Sequence, residues 1–131
     1  MKNNNYPNWL VSLEIAKELK EIGFKEKCLC YWHEHLQRIE RSTDDEERLC
    51  PEYYDYNTDE STTSLPTWEQ VFEWFRDRKY YGTLNTYKDG FSFYCEINYN
   101  NQYIKVYSKT YEEAREELVK ALIQTYKNEQ P

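Results

Sequence analysis

At 131 residues the chain is long enough for one domain with a buried core. Its 4 Trp, 14 Tyr and 5 Phe supply the large apolar groups that offset ordering entropy, which excludes a disordered chain despite a mean hydropathy of -1.07. No apolar run reaches the roughly 20 residues that span a bilayer, and Met1 to Trp9 lack a signal-peptide core, so a cytoplasmic location without membrane contact is expected.

Ser12 to Ile22 predicts a helix capped by Ser12, with Leu13, Ala16, Leu19 and Ile22 at helical spacing and Gly23-Phe24 as its stop. Cys28 to Trp32 follows as a strand. The overlapping stretch from Cys28 to His35 holds two thiols and two imidazoles, which raises the question of a metal. On a strand, side chains at even offsets share a face, so Cys28 and Cys30 point one way and His33 and His35 the other. Only a break near Trp32 would gather them, with Cys50, around a tetrahedral zinc, and the spacing matches no standard finger. We expect buried or half-buried thiols, solvent-facing imidazoles and neither metal nor cofactor. In a reducing compartment Cys28, Cys30, Cys50 and Cys95 are expected to be free.

From Glu40 to Glu60 nine acids face only Arg41 and Arg48, a balance that accounts for the whole net charge of -7 and leaves the remainder neutral. Residues 40–64 have no apolar period and read as a long solvated acidic loop. An EF-hand is excluded, since the segment contains no Gly.

Thr67 with Gln70 forms a capping box, opening a helix whose Trp68, Val71, Phe72 and Phe75 share a face, to about Lys79. Asp89-Gly90 and Asn100-Asn101 are hairpin signals separating strands Tyr80 to Tyr87, Phe91 to Tyr99 and Gln102 to Ser108. With these turns Ile97 opposes Ile104, Cys95 opposes Val106 and Leu84 joins them on one apolar face, while Glu96 opposes Lys105 on the other. That other face bears Tyr81, Tyr87, Tyr94, Tyr103 and Tyr107, with Tyr94 opposite Tyr107. The rings are either internal packing under the N-terminal helix and strand, or a platform for a partner. Thr110 with Glu113 repeats the capping box, and Ala114, Leu118, Ala121, Leu122 and Thr125 define a last helix to about Lys127.

The expected fold is therefore α+β in a single domain: an N-terminal helix and strand (1–35), the acidic loop (40–64) and a helix-three antiparallel strands-helix body (66–127). The topology of that body resembles the double-stranded-RNA-binding domain, without that family's motifs. Where such a domain holds lysines at the start of its last helix, this chain has Glu112, Glu113, Glu116 and Glu117, so nucleic acid is not an expected partner. Three longer phrases, Ser12 to Phe24, Leu65 to Arg76 and Tyr111 to Val119, resemble a family of short uncharacterised proteins encoded on bacterial prophages and mobile elements. That resemblance implies a setting in which regulators, inhibitors of host defence and accessory proteins outnumber enzymes.

The three glycines, Gly23, Gly82 and Gly90, are isolated, so no phosphate-cradling loop exists, and no pattern places a base beside a cysteine. The expectation is a non-enzymatic interaction or accessory protein with a protein partner, the alternative being a nucleic-acid-associated regulator. The strand periodicity also predicts purified protein without stoichiometric zinc and with a melting temperature that a chelator leaves unchanged, checked by elemental analysis and thermal unfolding.

Overall fold

The first helix, α1 (Leu13–Glu21), starts and stops where its capping residues dictate in a computed structural model that describes residues 6–41, 55–89, 92–99 and 102–130. Ser12 stays extended and its hydroxyl accepts the Ile15 N–H at 3.2 Å, satisfying a donor that the helix start would otherwise orphan. At the other end Gly23 adopts φ +97°, the Phe24 N–H donates to Leu19 O at 2.9 Å and the Gly23 N–H to Lys20 O at 3.2 Å. These two bonds make a Schellman cap, with Phe24 fully buried beyond it. The buried face of α1 is Ile15, Ala16 and Leu19; the expected Leu13 and Ile22 are half-buried.

Residues 1–70 and 71–131 form two compact units, with the boundary inside the second helix. In the first, β1 (Cys30–His33) pairs antiparallel with β2 (Arg38–Arg41) on one side and β3 (Thr62–Leu65) on the other. The N-terminal strand thus belongs to a three-stranded sheet, which corrects the expectation of a lone strand followed by a loop over 40–64. Glu40 and Arg41 lie in β2, Tyr56–Thr58 form a single 3-10 turn, and Thr62 to Ser64 lie in β3. The central acidic residues, 42–54, fall outside the described part.

The physical reason for the miss is that polar groups hold these strands. Ser64 is fully buried and Thr63 is buried in β3, so an apolar period was never there to find. The Ser64 N–H donates to Asn57 Oδ1 at 2.9 Å, its Oγ accepts the Tyr56 N–H at 2.8 Å, and the Thr62 hydroxyl donates to Tyr56 O at 2.7 Å. Lys20 of α1 reaches the same corner, its Nζ donating to Asp59 O and Thr62 O, both at 2.6 Å. Asp59 in turn accepts the N–H and hydroxyl of Ser61, bonds that hold its carboxyl below the usual carboxylate range. The β1–β2 turn hides its own signal as well: Gln37 takes φ 52°, a position Gly or Asn usually fills. Its side-chain amide offsets that strain by donating to Glu34 O at 2.6 Å.

α2 (Trp68–Asp77) opens with the expected box, the Gln70 N–H on Thr67 Oγ1 at 3.2 Å and the Thr67 N–H on Gln70 Oε1 at 2.9 Å. In the second unit β4 (Tyr81–Thr86), β5 (Phe93–Tyr99) and β6 (Gln102–Ser108) form an antiparallel sheet in that order, followed by α3 (Tyr111–Glu129). The registers are those the two turns imply: Leu84 opposes Cys95, Cys95 opposes Val106, Ile97 opposes Ile104 and Glu96 opposes Lys105. α3 lies on the inner face, with Ala114, Leu118, Leu122 and Ile123 buried, as are Cys95 and Ile97 of the central strand. Each large aliphatic side chain buried in this way is worth about 1.5–3 kcal/mol. Gly82 permits the close approach of β4, because a Cβ there would sit 2.9 Å from Leu118 Cδ1. Aromatic packing closes one end of the unit, where Tyr80 stacks on Tyr99 at 3.9 Å and Trp74 lies 5.3 Å from Tyr126.

The described residues form an α+β architecture of three α-helices and two three-stranded antiparallel sheets. Among them, no helix is long and apolar enough to cross a membrane.

α2 ends in the same Schellman pattern as α1, the Tyr80 N–H on Phe75 O and the Lys79 N–H on Arg76 O, both at 2.9 Å. Here the left-handed residue is Lys79, at φ 71°, in place of a glycine. Since a side chain at such a position costs about 1–2 kcal/mol, Lys79→Gly should stabilise the protein by about 0.5–1 kcal/mol and Gly23→Ala should destabilise it by about 1 kcal/mol. Urea unfolding of the two variants beside the parent checks the opposite signs.

Candidate functional site

Strand alternation on β5 decides which side chains leave the core. Cys95 and Ile97 face α3, so Tyr94, Glu96 and Asn98 face the other way, opposite Tyr107, Lys105 and Tyr103 of β6. Across β4 the same face receives Tyr81, Thr83 and Asn85, and Tyr87 follows, its N–H donating to Ser92 O at 2.8 Å. The turn beyond is held by Asp89, whose Oδ1 accepts the Ser92 N–H at 3.1 Å.

Of the four expected tyrosines whose side chains are described, Tyr81, Tyr87, Tyr94 and Tyr107, the last three come together. The ring centroids of Tyr87 and Tyr107 lie 5.5 Å apart, Tyr94 and Tyr107 5.9 Å, and Tyr87 and Tyr94 6.3 Å, with Tyr87 edge-on to both others. Edge-to-face pairs of this kind add about 0.5–1.5 kcal/mol beyond the area they bury. Tyr107 is 56% exposed, while Tyr87 and Tyr94 are half-buried. Tyr81, at the far end of β4, is 47% exposed. The Tyr103 backbone pairs opposite Asn98, and its side chain lies outside the described part.

Lys105 joins this cluster, which the sequence reading missed. Its Nζ sits 4.2 Å from the Tyr94 centroid, 5.5 Å from that of Tyr107 and 3.8 Å from Glu96 Oε1. The signal was present in the register: Lys105 faces Glu96 directly and is diagonal to Tyr94, within reach of a long side chain. The result is a patch of three phenols around an ammonium whose charge a neighbouring carboxylate balances. It offers aromatic area with polar tips and no strong field.

The cysteine and histidine stretch has a different outcome. Cys28 and Cys30 are buried, at 0% and 2% exposure, whereas His33 is half-buried and His35 exposed, with their ring centroids 5.9 Å apart. β1 continues unbroken from Cys30 to His33, so these two side chains leave opposite faces, and His33 Nδ1 accepts the Leu36 N–H at 3.3 Å. Among the described residues no three His, Cys, Asp or Glu side chains gather as metal ligands. Cys50 lies outside the described residues. Cys95 is buried on the inner face of the second sheet.

A cleft of about 280 Å³ in the first unit is lined by Trp9, Leu10, Leu29, Leu65, Thr67 and Gln70. Its polar atoms are already engaged. Thr67 and Gln70 bond each other, and Gln70 Nε2 donates to Lys27 O at 2.9 Å, so the cleft presents chiefly apolar wall.

Burial pushes the Cys28 thiol up to about 12, and it also raises Cys30 and Cys95. A raised value keeps the thiol neutral as pH rises, so native Cys28, Cys30 and Cys95 should resist alkylation at mildly alkaline pH and react once the chain is unfolded. By the same linkage, native stability falls as pH climbs from the ordinary thiol value of about 8.5 towards the raised one. Peptide-resolved mass spectrometry after alkylation checks the first, and urea unfolding against pH the second. No family model, curated protein or solved structure matches the chain.

Proposed function

We propose that this chain is a non-enzymatic interaction protein whose docking surface for a protein partner is the outer face of the β4–β6 sheet. The observation behind this reading is the cluster of Tyr87, Tyr94 and Tyr107 around Lys105, displayed on a sheet face where Tyr107 and Tyr81 are exposed. Such rings bury large area at low entropic cost and end in a group that hydrogen-bonds, which is why tyrosine is enriched where proteins meet. The described thiols are buried and raised, which argues against nucleophilic chemistry at them. A place among accessory proteins of mobile elements rests on the sequence resemblance alone.

The order helix, three strands, helix from α2 to α3 is that of the double-stranded-RNA-binding topology, and the likeness is proposed at that level only. The helix that would meet phosphate begins with exposed Glu112 and Glu113, and a carboxylate pair at that position repels a polyanion.

Because Tyr107 is largely exposed but packs on Tyr87 and Tyr94, Tyr107→Ala should cost about 1–2 kcal/mol of stability, less than truncating a buried ring. If the face docks a partner, the same change should weaken capture of that partner about 30-fold, the effect of losing about 2 kcal/mol at an interface anchor. The measurement is affinity capture from host lysate with the parent and the variant side by side. Equal capture by both would remove the Tyr face from the reading. A shift of duplex RNA by micromolar protein that weakens steeply with salt would replace the reading with the nucleic-acid one.

A further inference from the structure

Each of the two sheets has two outer strands, and the four edges they present are not alike. An unpaired edge is a row of backbone donors and acceptors that only another extended strand can satisfy along its length, and natural proteins guard such edges with shortness, charge, glycine or a covering segment. β3 is covered, since its Ser64 N–H donates to Asn57 and its Thr62 carbonyl accepts from Lys20. β2 is four residues long and bears Arg38, Glu40 and Arg41. β4 is six residues long and, beyond Tyr81 at its start, sets Gly82, Thr83 and Asn85 along its length, which give an incoming strand little to bury.

β6 is different. It runs for seven residues from Gln102 to Ser108 with no proline and no bulge in its pairing to β5, and among the described residues it has a neighbouring strand on that side alone. Its one charged side chain, Lys105, does not guard the edge: the ammonium is drawn back over Tyr94 and towards Glu96, both on β5. Ile104 is 39% exposed on one face of the strand and Tyr107 56% exposed on the other.

We propose that β6 pairs antiparallel with β6 of a second copy, joining two sheets into one of six strands. A second copy suits this edge because the strand is complementary to itself. Antiparallel pairing about Val106 keeps the aliphatic side chains on one face and sets each Lys105 beside Tyr107 of the other copy rather than beside its own counterpart, whereas pairing about Lys105 would oppose two ammonium groups. The two tyrosine clusters then lie on one continuous face. Self-pairing does not depend on that face having a partner.

Sedimentation equilibrium of the full chain from micromolar to millimolar protein should show a reversible dimer. Ile104→Lys, which adds a charge to the edge at an exposed position, should weaken dimerisation at least tenfold with an unchanged far-ultraviolet circular dichroism spectrum. Hydrogen exchange reads the same contact in the unmodified protein, with the outward-pointing amides, those of alternate residues within 104–108, gaining protection as concentration rises. A chain that stays monomeric at millimolar concentration overturns the proposal. So does a dimer whose β6 amides exchange at the same rate at every concentration, and so does β6 protection that appears only when a different protein is added to a monomer.

Discussion

β5 is the central strand of its sheet, and its period of two binds the rest of the second unit to a single arrangement. With Cys95 and Ile97 beneath α3, Tyr94 and Glu96 have nowhere to go but the opposite face, and β4 and β6 inherit the same division through their registers. A slip of one residue would place a phenol and a carboxylate under Leu118 and expose the aliphatic row, at a cost of several kcal/mol. The tyrosine cluster is therefore a consequence of core formation. What is particular to this chain is that the residues sent outward are aromatic, and that Lys105 and Glu96 sit among them as a balanced pair.

The first unit is assembled on a different principle. Its sheet has short strands of mixed polarity, and its corner is closed by hydrogen bonds that converge on β3 from the 3-10 turn and from Lys20. Such bonds are each worth about 1 kcal/mol net, but leaving a buried Ser64 N–H unmet would cost about 1–3 kcal/mol. The geometry is correspondingly specific, since few arrangements satisfy every donor at once. The two units thus show two routes to a buried strand, one through apolar alternation and one through polar satisfaction.

α1 and α2 end in the same hydrogen-bonded stop, with a buried aromatic residue just beyond it, Phe24 in one case and Tyr80 in the other. Gly23 reaches the required backbone without strain, whereas Lys79 holds it because the surrounding packing does: Tyr80 is stacked on Tyr99 and lies edge-on to Phe75. The aromatic contact after the stop compensates for the wrong residue at it.

Much of the second unit was legible in the sequence, because its signals are local and agree with one another. Two hairpin signals and one alternating face point to the same registers, and from them to Tyr94 opposite Tyr107 and Glu96 opposite Lys105. The first unit is legible in α1, part of β1 and the Thr67–Gln70 box that opens α2. β3 reads as loop because two of its three buried residues are Thr63 and Ser64, and the Ser64 partners Asn57 and Tyr56 become neighbours only after the chain has turned back. The β1–β2 turn was missed because Gln37 occupies a left-handed position and is stabilised through its side chain. The sequence by itself determined the α+β pattern, the registers of β4 to β6 and the face on which the tyrosines stand, since periodicity and turn chemistry are properties of neighbouring residues. Only the tertiary structure decided how polar residues could be buried in β3, and that Lys105 folds back onto Tyr94. Those outcomes depend on hydrogen bonds and a cation–π contact whose net worth is set by the three-dimensional geometry of the folded chain.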